Sequence, residues 1–248
     1  MDADRPQDRP RLAPGARRPP RKVPLSIGAV LSEAWRLYTR FLGRFVLIAA
    51  VVFAVLSLIQ VAVDASDDFG VAIAAFAANI VGIYWLQGAL VVAVDDARRG
   101  RPDLTLGQIF RKVEPFLWTL IGVGVIVAVA VVCGLILLIV PRLVMLTFWS
   151  LATAVVVLEG ASIRTALQRS WALVSGNALR VFAVIVITIV LAAVVSVVVA
   201  AILRPLPDVV DVYVANVVAS SVSVPFVALA WTIMYFELKL NEEFAAGS

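Results

Sequence analysis

Side chains able to do chemistry are few in this chain, and their spacing narrows what they could do. Paired carboxylates, the groups that general acid–base work needs, occur at Asp67-Asp68, Asp95-Asp96 and Glu242-Glu243. Adjacent residues leave a helix about 100° apart, so sequence pairing alone does not build a dyad, and solvated helix ends account for these acids. The chain has no His and a single Cys, Cys133. Imidazole acid–base chemistry, His-ligated metals and an intramolecular disulfide are therefore excluded. Cys133 lies in an apolar run, where it reads as a small packing residue. No phosphate-binding loop, nucleophile elbow or dinucleotide fingerprint occurs. The reading is of a chain that is not an enzyme and takes no cofactor and no metal.

What remains is charge beside aromatic rings. Glu159, Arg164, Arg169 and Trp171 form the densest such group. Guanidinium groups offer paired donors to a phosphate, and Trp settles at headgroup depth. The same constellation also suits an ordinary interfacial helix with Glu159 paired to an Arg. An earlier segment carries Trp35, Arg36 and Arg40 in a similar setting. These six, Trp35, Arg36, Arg40, Arg164, Arg169 and Trp171, are the candidates for lipid-headgroup contact. Asn79, Gln87 and Asn216 are polar groups inside apolar runs, and Glu159 ends another. An unpaired amide in hydrocarbon costs several kcal/mol, roughly 4–8 in the harshest case, so these four either face protein or line a polar cavity.

The elements that must hold these groups are membrane-spanning. Of 248 residues, 62% are hydrophobic and 15% charged, too apolar for a soluble core, which runs near 45–50% and 25%. Apolar runs at about 45–63, 70–94, 116–139, 143–158, 179–202 and 213–236 predict six transmembrane helices. Pro141-Arg142 predicts the turn between the third and fourth, and Pro225 predicts a kink in the sixth. Residues 1–24 hold six prolines and seven Lys/Arg, a disordered basic tail. Residues 25–240 form the membrane domain, and 241–248 a short second tail.

A repeat organises the spans. Without gaps, Ser26, Ile27, Leu31, Trp35, Leu37 and Arg44 align with Ser162, Ile163, Leu167, Trp171, Leu173 and Arg180. A weaker copy starts at Thr105. Each is a short amphipathic helix leading into apolar spans, so the fold class is an all-α integral membrane protein. Three parallel units of interfacial helix plus transmembrane hairpin are predicted. With both termini cytoplasmic, 19 of the 21 Lys/Arg lie inside and only Arg142 and Arg204 outside, as the positive-inside bias requires.

The run VVVLEGASIRTALQRSWALVSGNALRVFAVIVI (155–187) resembles a stretch of the glycerophosphoryl diester phosphodiesterase membrane-domain family and of the related YciC-like bacterial inner-membrane proteins. The segments SIGAVLSEAWRLYTRF, ALVVAVDDARRGRPDLTLGQIFRKV and PFVALAWTIMYFELK fit the same pattern, so the resemblance covers about residues 25–240. It implies a fold and an inner-membrane location. It does not imply phosphodiesterase activity, because that domain and its His ligands are missing. The expectation is a multi-pass plasma-membrane protein that organises or senses the envelope. Its partners would be membrane lipids, anionic ones above all, with no nucleic acid; a small transporter or lipid exporter is the alternative.

Overall fold

In the computed structural model, residues 25–66, 68–100, 103–137, 139–203 and 208–247 are described, with side chains left out at 131–142, 208–212 and 245–247. The basic tail 1–24 and the turn residue Arg204 lie outside them. The described residues are helical apart from short turns and connections, without strands among them. Ile27–Arg40 (α1) starts at Ser26, whose hydroxyl accepts from the Ala29 amide, a helix N-cap. Leu42–Asp64 (α2) and Phe69–Arg98 (α3) follow, the second capped by Asp68. Leu106–Val113 (α4) opens with a reciprocal Thr105–Gln108 capping box. One 3₁₀ turn later comes Leu117–Leu137 (α5). Ile139–Trp149 (α6) and Ala152–Glu159 (α7) are short. Ile163–Val174 (α8), Ala178–Leu203 (α9) and Asp208–Gly247 (α10) complete the order.

Five helical stretches are long and apolar enough to cross a membrane: Leu42–Asp64, Phe69–Arg98, Leu106–Ala130, Ala178–Leu203 and Tyr213–Phe244. The stretch expected as a fourth crossing, 143–158, differs. It falls into α6 and α7 around a turn at Ser150-Leu151. The break leaves helix-end carbonyls without intrahelical donors, and the Ser170 hydroxyl of α8 donates to that of Phe148 at 2.7 Å. Trp171 stacks on the Phe148 ring at 4.0 Å. The turn expected at Pro141-Arg142 is not found there, since both residues lie within helix α6.

α10 continues through Pro225 and absorbs most of the expected tail 241–248. Pro225 cannot donate a backbone bond, and at this turn the Tyr38 hydroxyl donates to the Val222 carbonyl at 2.7 Å. The Phe226 ring meets Tyr38 and Trp35 edge-on, at 5.8 and 6.2 Å. Thus α1 lies against the middle of α10. The main core sits here, where Phe45, Ile48, Leu86, Leu90, Leu229 and Tyr235 are fully buried.

Candidate functional site

The short helices α1, α4 and α8 collect at the end of the bundle where α2 begins and α3 and α10 finish, and charge is organised there. The Arg44 Nη2 donates to Asp96 Oδ2 at 2.8 Å and to the Leu104 carbonyl at 2.6 Å. Arg98 faces Glu33 at 3.5 Å and lies over the Phe236 ring, 4.2 Å from its centre. Arg99 pairs with Asp95 one turn earlier. All ion pairs among the described residues lie at this end.

Glu159 is the hub of a second knot. Gly160, with a left-handed φ of 64°, ends α7, a conformation that favours glycine, and turns the chain so that α8 passes beside the end of α10. The Tyr235 hydroxyl donates to Glu159 Oε1 at 2.6 Å, and Lys239 Nζ lies 3.4 Å from the same oxygen. Arg169 Nε is 3.5 Å from Glu159 Oε2. Its other nitrogens grip Glu242 with two bonds of 2.7 and 2.6 Å. These bonds push the Arg169 pKa up, so the guanidinium is charged at every accessible pH. Both of its binding edges are occupied by protein. Glu159 lies in this knot and not with Asn79 and Asn216.

The other headgroup candidates face outward, Trp35 and Trp171 each with one ring contact to the bundle. Arg36, Arg40 and Arg164 are exposed and have no ion pair among the described residues, Arg40 lying over the Phe41 ring at 5.3 Å. Trp35 is 61% exposed and Trp171 45%. The same end exposes Arg111, Lys112 and Arg180, together with Trp118 at 78%. Sequence reasoning passed over these residues because the middle copy matched weakly. The signal was available in the basic last turn of α4 and the Trp just beyond it.

The opposite end is different. Asn79 and Asn216 line one cleft of about 910 Å³ between α2, α3 and α10. Gln87, half-buried and two turns further along α3, is outside its lining. The cleft was only half legible in sequence, since its mouth is built by Gln60, Asp64 and Tyr213. The Tyr213 hydroxyl donates to Asp64, and the Gln60 amide donates to the same carboxylate at 2.9 Å. The i, i+4 spacing of Gln60 and Asp64 at the end of an apolar run was the available sign. Deeper in, Phe53, Leu56 and Ile83 form the wall. Gly82 gives Leu56 room: a Cβ there would come within 2.9 Å of Leu56 Cδ2. No group of three or more His, Cys, Asp or Glu side chains among the described residues could hold a metal.

Comparison of the chain with protein-family models, with curated proteins and with solved structures gives no match in any of the three.

Proposed function

We propose that this chain is a non-enzymatic multi-pass membrane protein that organises or senses the bacterial envelope by holding anionic lipid headgroups at its cytoplasmic face. The observation that carries this reading is the set of exposed, unpaired arginines, Arg36, Arg40 and Arg164, beside exposed Trp35 and Trp171. A Lys or Arg near an anionic surface contributes about 1 kcal/mol. Arg169 leaves the candidate set, because Glu242 and Glu159 already occupy it. Arg111, Lys112 and Trp118 join it. The reading takes this face as cytoplasmic, α6–α7 as the fourth of six crossings, and α1–α3, α4–α7 and α8–α10 as three parallel copies of one unit. The likeness to the phosphodiesterase membrane-domain family belongs to the same proposal, as a fold without the activity.

The test is mass spectrometry of lipids retained by the full chain in native nanodiscs. Anionic lipid enriched several-fold over the bulk membrane, and lost in the triple variant Arg36→Glu/Arg40→Glu/Arg164→Glu, is the expected result. A bulk-like lipid profile around the unaltered protein would overturn it. The transporter reading draws on Asn79 and Asn216 in one cleft, but the lining residues all fall in the halves of α2, α3 and α10 nearer Asp64. Solute flux through proteoliposomes of the pure protein would favour that reading over the first.

A further inference from the structure

The cleft between α2, α3 and α10 has the dimensions and polarity gradient of a single lipid molecule in one leaflet. From Phe53 to Asp64 its lining runs along about 16 Å of α2, roughly half of a hydrocarbon core about 30 Å thick. Its volume is about 910 Å³, and it is open along one side. Polar groups gather toward the mouth. Gly82 meets Leu56, so Asn79, one turn nearer the mouth, comes level with the turn of Gln60. Asn216 is one turn below Tyr213, whose hydroxyl reaches Asp64. Below this level the walls are Phe53, Leu56 and Ile83.

Two groups at the mouth have unused capacity. The Asn79 amide, half-buried at membrane depth, has no hydrogen-bond partner among the described residues. Hydrocarbon against it would cost several kcal/mol, about 4–8 in the harshest case, so something polar must meet it. Asp64 accepts from Tyr213 and Gln60, whereas a carboxylate has about four acceptor sites. Among the described residues Asp64 is the only charged one in the lining, and its carboxylate favours a cation. On its lipid side the cleft adjoins an apolar groove of about 320 Å³ between α2 and α10, walled by Leu58, Val214, Val217 and Val218. Ser57, Val61 and Tyr213 border both spaces, so a ligand held at Asp64 can extend an alkyl chain into the groove without leaving the protein surface.

We propose that this cleft binds a phospholipid whose head carries a primary ammonium, with the ammonium on Asp64, the Asn79 amide on the ester or phosphate oxygens, and one acyl chain between α2 and α10. This site lies at the opposite end from the basic face and does not depend on it. A zwitterionic head fits because its ammonium meets the single carboxylate while its phosphate accepts from amide donors. A purely anionic head would set like charge against Asp64.

The experiment is native mass spectrometry of the full chain in detergent, titrated with synthetic phosphatidylethanolamine, phosphatidylcholine and phosphatidylglycerol. The expected order is phosphatidylethanolamine about tenfold tighter than phosphatidylglycerol, with phosphatidylcholine, which lacks N–H donors, between them. Asp64→Asn should erase most of that preference and Asp64→Glu retain it, while Asp68→Asn, an exposed acid outside the lining, should leave it intact. Equal binding of the three lipids overturns the proposal, as does loss of preference in Asp68→Asn to the same degree. Competition by free phosphoethanolamine at the same concentration as the lipid would also overturn it, because the groove would then contribute nothing. Circular dichroism and thermal unfolding of each variant separate a lost site from a lost fold. Failure here leaves the anionic-lipid result at the basic face standing, and the reverse holds equally.

Discussion

The two ends of the bundle use polar groups in opposite ways. Where α1, α4 and α8 gather, most acids of the interior have partners: Asp96 has Arg44, Glu33 has Arg98, and Glu159 has Tyr235, Arg169 and Lys239, while half-buried Glu237 makes no ion pair among the described residues. Between the halves of α2, α3 and α10 at the opposite end, Asn79 has no hydrogen-bond partner among the described residues, and Asp64 is only half satisfied. The first arrangement is what a membrane fold needs when charge must sit near hydrocarbon. The second leaves hydrogen-bonding capacity unused, which suits a site that meets a ligand better than one that only packs. Substitutions should therefore cost stability at one end and cost little at the other.

The strongest break of this contrast is Arg44→Ala. It strands Asp96, whose side chain is only 11% exposed, and removes the donor to the Leu104 carbonyl. A loss of about 3 kcal/mol in unfolding free energy is expected, measured by denaturant titration in detergent; a loss under about 1 kcal/mol would mean that water already reaches the pair. Ser170→Ala comes next. It deprives the Phe148 carbonyl of its donor at the α6–α7 break and should cost about 1–3 kcal/mol, visible as faster hydrogen exchange across residues 148–155. Arg169→Ala should cost less, about 1 kcal/mol, because the pair with Glu242 is part-exposed and Glu159 keeps Tyr235 and Lys239; thermal unfolding monitored by Trp fluorescence reads it. At the cleft, Asn79→Leu should change stability by no more than about 0.5 kcal/mol, or raise it, since an unpaired amide gives way to an apolar group. A drop above about 2 kcal/mol in that variant would make Asn79 a structural residue and erase the contrast between the ends.

The helices themselves were legible because hydrocarbon imposes long apolar runs, and Ser26, Thr105 and Gly160 marked ends that the structure uses. The break at Ser150-Leu151 was not legible. No Pro or Gly marks it, and it survives because Ser170 and Trp171, contributed by a later helix, close it. Arg44 and Arg180 align in sequence yet differ in setting, one paired with Asp96 and the other exposed, since the acid that decides between them comes from a different helix. Arg169 was indistinguishable from Arg164 on composition. What separates them is the reach of α10 past Phe236, which brings Glu242 to Arg169. Asn79 and Asn216 could be flagged as polar groups at depth, but their meeting in one cleft depends on how three helices pack.

The bond from Tyr38 to the Val222 carbonyl spans 184 positions of sequence, and that from the Leu25 amide to Asn177 spans 152. A ribosome delivers the chain from one end, so α1 must wait, unsatisfied, until α10 has been synthesised. Such distant closures are the slowest steps of folding. In the interval the amphipathic face of α1 has only the bilayer surface or a chaperone to cover it. A chain that stops before Val222 lacks both the acceptor of the Tyr38 hydroxyl and the Phe226 ring, so its spans can insert while α1 has nothing on α10 to seat against.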